Sequence, residues 1–220
     1  MNPLNPVEVR VLGSLVEKEI TTPDYYPLTL NALTNACNQS SNRDPVVSFS
    51  EKDVVRGLDS LRERKLAFMF QGADSRVSKY GHRLVESLEL SRPETAVLCV
   101  LMLRGPQTVG EIRGRTGRMH EFESLGETEG TLEGLIGRAP LPLIVRLARQ
   151  TGLKEQRYAH LLGGEVTLPP SESVAGVEPA VVAVRLENEK LAKLEVEAAE
   201  LRAELAELKR QFADFRKQLE

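Results

Sequence analysis

The chain has 220 residues, 41% of them hydrophobic and 28% charged, with a formal net charge of −3. That composition suits a globular protein with room for two small domains. No apolar run approaches a membrane span, and the opening Met1-Asn2-Pro3-Leu4-Asn5-Pro6 lacks the charged and apolar regions of a secretory leader, so a cytoplasmic location is expected.

Residues 1–90 carry 11 Lys/Arg against 12 Asp/Glu, residues 91–170 carry 10 against 9, and residues 171–220 carry 8 against 11. Neither globular region is basic overall, which counts against a dedicated DNA binder but leaves room for a local patch. Cys37 and Cys99 sit in different predicted helices among apolar residues, the pattern of buried, reduced thiols. His82, His120 and His160 have no metal-ligand spacing with each other or with the cysteines, so no metal or cofactor is expected.

In chain order, Val7, Val11, Leu12, Leu15 and Val16 predict a first helix with one apolar face. Thr29 caps a second, short helix whose Leu30, Leu33 and Cys37 share a face. In the loop that follows, Asp44-Pro45 marks a turn, and Val46-Val47-Ser48-Phe49 reads as a short strand beside the hairpin to come. Ser50-Glu51-Lys52-Asp53 starts a third helix running through Val54, Leu58 and Leu61. A hairpin then pairs residues 66–70 with residues 77–80 across Gly72-Ala73-Asp74-Ser75.

The pattern then repeats. Ser91-Arg92-Pro93-Glu94 is a capping box, Ala96, Val97, Val100 and Leu101 form the apolar face of the helix it starts, and Gly105-Pro106 ends it. Thr108-Val109-Gly110-Glu111 caps a second helix, and a third spans roughly residues 127–137, with Leu132 and Leu135 matching Leu58 and Leu61. Residues 143–147 pair with residues 156–160 in a second hairpin. The hairpin exits are nearly one string, Tyr80-Gly81-His82-Arg83-Leu84 against Tyr158-Ala159-His160-Leu161-Leu162. Three helices and a hairpin, given twice, predict a mainly α (α+β) chain of two tandem winged helix-turn-helix domains over residues 1–90 and 91–162.

Several strings carry a resemblance. They include Glu17-Lys18-Glu19-Ile20-Thr21-Thr22-Pro23, Tyr26-Pro27-Leu28-Thr29-Leu30-Asn31-Ala32-Leu33, Ala36-Cys37-Asn38-Gln39 and Asn42-Arg43-Asp44-Pro45-Val46. Leu103-Arg104-Gly105-Pro106-Gln107-Thr108 and Arg118-Met119-His120-Glu121-Phe122 belong with them. Over about residues 4–162 the chain resembles the YceH-like family of uncharacterised bacterial proteins. The resemblance implies tandem winged helices and brings no activity, cofactor or catalytic residue with it.

Residues 163–179, rich in Gly, Pro and Ser, read as a linker to a helix over residues 180–220. There Leu191, Leu194, Ala198, Leu201, Leu205, Leu208, Phe212, Phe215 and Leu219 alternate by three and four residues as a heptad seam. Lys190, Glu197 and Glu204 at g meet Glu195, Arg202 and Lys209 at the e positions five residues later, each pair opposite in charge. A parallel homodimeric coiled coil is expected, with docking of the helix on its own chain as the alternative.

No phosphate loop, nucleophile elbow or zinc-protease motif is present, so no catalytic residues are assigned and an enzyme is not expected. The candidate DNA contacts in the first half are Lys52 and Arg56 at the start of the third helix, Arg43 before it, and Arg76 and Lys79 on the hairpin. Asn38, Gln39 and Asn42 are expected to serve structure rather than base reading. In the second half the third helix carries Glu127, Glu129 and Glu133, and the candidate cations are Arg113, Arg115, Arg118, Lys154 and Arg157. The sequence thus supports a DNA-binding regulator, with a non-catalytic adaptor that docks protein partners as the alternative.

Overall fold

The computed structural model describes residues 2–71, 77–149 and 155–164. It is a mixed α+β structure, about half helical with two small sheets. Helix α1 (Pro6–Thr21) opens on a reciprocal cap. Asn5 Oδ1 accepts from the Val7 and Glu8 amides at 2.9 and 3.0 Å, and Glu8 Oε2 accepts from the Asn5 amide at 2.7 Å. After a 3-10 turn (Pro23–Tyr25) come strand β1 (Leu28–Thr29), α2 (Leu30–Cys37), α3 (Glu51–Glu63), β2 (Ala67–Phe70), β3 (Lys79–His82) and the short α4 (Leu84–Leu88). The order then returns as α5 (Arg92–Arg104), α6 (Val109–Thr116), α7 (Leu125–Ile136), β4 (Ile144–Arg146) and β5 (Tyr158–His160).

The expected caps form. Asp53 Oδ2 accepts from the Ser50 amide at 3.0 Å, Glu94 Oε2 from the Ser91 amide at 2.8 Å, and Glu111 Oε2 from the Thr108 amide at 2.9 Å. Gly105, at φ +67°, ends α5 in a conformation that favours glycine. β2 and β3 pair antiparallel with Phe68 opposite Gly81, and β4 and β5 with Val145 opposite Ala159. In the first hairpin the second strand lies two residues further along than the sequence suggests.

The third strand of the first sheet is also displaced from its expected place. Residues 46–49 are not a strand; Asn38 pins them, its Nδ2 donating to Phe49 O and its Oδ1 accepting from the Phe49 amide, both at 2.8 Å. The strand beside the hairpin is β1, which pairs Leu28 with Tyr80 just before Thr29 caps α2. The second half reproduces this with a single bridge between Gln107 and Tyr158, whose amides and carbonyls bond at 3.0 and 2.8 Å. Gln107 precedes the Thr108 cap as Leu28 precedes the Thr29 cap, so the internal repeat extends to its smallest sheet element.

The core explains how the halves meet. Residues 8–16 of α1 and residues 95–103 of α5 are buried without interruption, and a helix buried all round is a central element rather than a surface one. α1 and α5 cross closely at Gly13, where an added Cβ would stand 3.0 Å from Leu103 Cδ2 and 3.1 Å from Met102 Cβ. The Cys99 thiol reaches Gly13 O at 3.5 Å. Leu12, Leu15, Leu33 and Leu58 of the first half and Leu98, Leu101, Leu132 and Leu135 of the second belong to one apolar cluster. The described residues all belong to one compact unit, Met1–Pro169. The expected linker tail and coiled-coil seam, Leu191 to Leu219, lie outside the described residues.

Candidate functional site

α3 buries Val54, Gly57, Leu58 and Leu61 against the core. This turns Lys52, Arg56, Asp59 and Glu63 outward, as the fourfold spacing predicts. Asp59 is engaged by Arg62 at 3.0 Å on the same helix. Lys52 and Arg56, one turn apart in the first half of α3, have no hydrogen-bond or ion-pair partner among the described residues. Lys79 is half-buried on β3, opposite Phe70. Arg76 lies outside the described residues.

Arg43 is placed differently from the sequence expectation. Its side chain is fully buried, with Nη2 2.6 Å and Nη1 3.1 Å from the two carboxylate oxygens of Glu17. Nε and Nη2 also donate to Ala36 O, at 3.1 and 2.8 Å. Arg10, likewise buried, donates to Cys37 O at 3.1 Å and Pro45 O at 2.6 Å. The last carbonyls of a helix lack intrahelical donors, and here two guanidinium groups supply them while fixing the loop that leads to α3. Arg43 is therefore a structural clamp and is unavailable to a phosphate. Burial pushes the Glu17 carboxyl up, but the hydrogen bonds and charge of Arg43, with Lys18, outweigh that and hold it below the ordinary carboxylate range. The loop amides serve structure as expected: Gln39 Oε1 accepts from Lys18 Nζ at 3.3 Å, and Asn42 Oδ1 accepts from Arg104 Nη2.

In the second half, Arg113 donates to Phe122 O at 3.3 Å and Glu123 O at 3.1 Å, holding the turn before α7. Arg157 donates to Pro106 O at 2.8 Å and pairs with Glu111 at 3.1 Å. Both are engaged internally. Arg115 reaches Glu111 only at 3.5 Å, and Arg118 has no partner among the described residues. Lys154 lies outside the described residues. Glu127, Glu129 and Glu133 face outward on α7, with Glu133 paired to Arg146. Of the eight candidate cations among the described residues, Arg43, Arg113 and Arg157 are engaged internally and do not join a common contact surface.

Sequence reasoning missed a different feature of the first hairpin. Met69, Phe70 and Val77 are 42%, 52% and 55% exposed, an apolar hairpin end beside Lys79. The signal was present as an unbroken Ala67-Phe68-Met69-Phe70 run where a half-buried strand would alternate. At its base Gly81 is required by a close approach: an added Cβ would stand 2.4 Å from Phe68 Cζ and 2.9 Å from the Tyr26 hydroxyl. That hydroxyl accepts from the His82 amide at 2.7 Å, joining the segment after α1 to β3, and His82 Nε2 lies 2.9 Å from a Glu19 carboxylate oxygen.

His160, the counterpart of His82, has no such carboxylate. Burial lowers its pKa from the ordinary 6.5 to about 4. The unfolded chain binds that proton first, so the stability contributed by neutral His160 is complete above pH 6.5 and drains as pH falls toward about 4. Urea midpoints measured across this interval should fall less steeply for His160→Gln than for the wild type. Superimposable pH profiles would contradict this.

Burial also pushes both thiols, Cys37 and Cys99, above the ordinary thiol range, which leaves them unreactive. Among the described residues no group of three His, Cys, Asp or Glu could hold a metal ion. Among them, too, no helix is long and apolar enough to cross a membrane.

Against known families, residues 4–153 match the model described as "Protein of unknown function, DUF480". Relatives named "UPF0502 protein" include one from Opitutus terrae, 59% identical over 189 residues that cover 86% of this chain and 82% of the relative. Another, from Geotalea uraniireducens, is 57% identical over 196 residues and covers 89% of each. One from Geobacter sulfurreducens is 55% identical over 197 residues, again 89% of each.

Proposed function

The chain belongs to the DUF480 (UPF0502) family of uncharacterised bacterial proteins, and from that premise we propose that it is a non-catalytic, cytoplasmic DNA-binding protein of two tandem winged helices. The observation that carries this reading is the pair Lys52 and Arg56, exposed and unpaired near the N-terminus of α3. In a helix-turn-helix that end meets base edges, and free cations there can neutralise phosphates. The winged-helix assignment, and with it the YceH-like name, is supported by the order of helices, strand and hairpin repeated from β1 and Thr29 to the Gln107 bridge and Thr108. The first half of each protomer would take a half-site, with the heptads of residues 191–219 joining two chains. The second half, whose α7 turns Glu127, Glu129 and Glu133 outward, buttresses the first through the α1–α5 crossing and does not insert α7.

A second reading, a protein-docking adaptor, is favoured by the exposed Met69, Phe70 and Val77 and by the acidic face of α7. Retention of a mixed genomic fragment pool across a salt series separates the two. Salt-sensitive retention that Lys52→Ala/Arg56→Ala abolishes is the expected result. No retention at the lowest salt would overturn the DNA reading in favour of the adaptor.

A further inference from the structure

Where the C-terminal ends of α1, α5 and α6 converge lies a cavity of about 40 Å³, lined in part by Thr21, Asn42, Arg104, Arg115, Arg118 and Met119. We propose that this cavity binds a compact tetrahedral oxyanion, a phosphate or a terminal phosphoryl group, held by Arg104, Arg115 and Arg118.

Hydrogen-bond donors and acceptors around the cavity do not balance. The one carboxylate lining the cavity is Glu17, and both of its oxygens are taken: by Arg43 at 3.1 and 2.6 Å and by Lys18 at 3.3 Å. The Thr21 hydroxyl donates away from the cavity's needs, to Glu17 O at 2.8 Å. Asn42 Oδ1 is occupied by Arg104 Nη2. On the donor side, Arg104 has that neutral amide as its one hydrogen-bond partner among the described residues. Arg118 has none, and Arg115 shares Glu111 at 3.5 Å with the closer Arg157 at 3.1 Å. The unfilled capacity of the cavity is thus donor-rich and acceptor-poor.

Three helix C-termini carry about half a unit of negative charge each. Lys18 in the last turn of α1, Arg104 in that of α5, and Arg113 and Arg115 in that of α6 already exceed that charge, and Arg118 adds to the excess. Burial, then repulsion from Arg115 and Arg43, lowers the Arg104 pKa, as expected for guanidinium groups gathered without enough counter-charge. A volume of about 40 Å³ is room for one tetrahedral oxyanion, or for the terminal phosphoryl group of a larger molecule.

The test uses the full chain and inorganic phosphate, with chloride added to equal ionic strength as the reference. Thermal unfolding should show a saturable rise in Tm with phosphate that Arg118→Ala shifts to roughly tenfold higher phosphate or more. Arg118→Lys, which keeps the charge, should retain part of it. Arg118 is exposed and has no hydrogen-bond or ion-pair partner among the described residues, so the variant's basal Tm should be no lower than the wild type's. Absence of a saturable response in the wild type, or an equal response in Arg118→Ala, would overturn the proposal. A DNA backbone phosphate and a free anion share this chemistry. A short duplex that displaces phosphate from the wild type, with Arg118→Ala weakening DNA retention, assigns the site to the backbone. Unchanged retention with lost phosphate response assigns it to a free phosphate or phosphorylated small molecule.

Discussion

Arg43→Ala should lower the unfolding free energy of the full chain by about 3–5 kcal/mol, the cost of leaving one member of a buried ion pair without the other. The guanidinium is fully buried, the Glu17 side chain 13% exposed, and Ala36 O would lose its two donors. Arg43→Lys keeps the charge but loses the two-pronged geometry and should fall between. Removing both charges with Glu17→Gln/Arg43→Met should recover part of the loss. The pH dependence follows the same pair. Because Arg43 holds the Glu17 carboxyl below its ordinary 4.5, the stabilisation is present above pH 4.5 and is lost as pH falls through the folded-state value. Arg43→Ala should therefore lack that acid-dependent component. A loss under about 1 kcal/mol in urea unfolding would mean the pair behaves as a solvated surface bridge, contrary to its burial.

The second large effect is expected where the halves cross. Gly13→Leu adds a side chain to a position whose Cβ alone would already stand 3.0 Å from Leu103 Cδ2 and 3.1 Å from the Cβ of Met102. Met102 Cβ is fixed by its own helix and cannot swing away, so α1 and α5 must separate. Overpacking of this kind costs about 3 kcal/mol. Because Leu12 and Leu98 lie in one cluster, that loss should appear in both halves together, as a single unfolding transition at lower denaturant. Two separated transitions in the wild type, or an unchanged midpoint in the variant, would contradict a shared core.

These two sites also mark where the sequence could and could not be read. Local signals carried well. The boxes at Ser50, Ser91 and Thr108 and the glycine stop at Gly105 are short-range chemistry, and each formed. Leu58 and Leu61, and their counterparts Leu132 and Leu135, are all buried as their spacing implied. Strands of two or three residues carry almost no periodicity, so nothing in the sequence marks β1, while Val46-Val47-Ser48-Phe49 has the composition of a strand without forming one. Pairing between distant residues was invisible for a different reason. Nothing near Arg43 announces that Glu17, 26 positions earlier, will neutralise it, so a loop arginine beside Asn42 looked available to a phosphate. Arg113 and Arg157 misled in the same way, because backbone carbonyls that accept from them leave no mark in composition. The continuous burial of α5 was legible in the run Ala96-Val97-Leu98-Cys99-Val100-Leu101-Met102-Leu103, which is apolar on every face. That the helix packed against it is α1 of the first half leaves no mark in that run.

The α3 assignment accounts for Lys52 and Arg56 as free cations, for the buried residues behind them, and for the clamp by which Arg10 and Arg43 fix the approach to that helix. The measurement that tests it most directly is the slope of log Kobs against log salt for duplex binding, compared between the wild type and Lys52→Ala/Arg56→Ala. If each residue neutralises one phosphate, the magnitude of the slope should fall by about 1.8 in the double variant, while the urea midpoint stays at the wild-type value. A slope unchanged by the double substitution would contradict the account, because binding would then run through other cations and α3 would not be the DNA-facing helix.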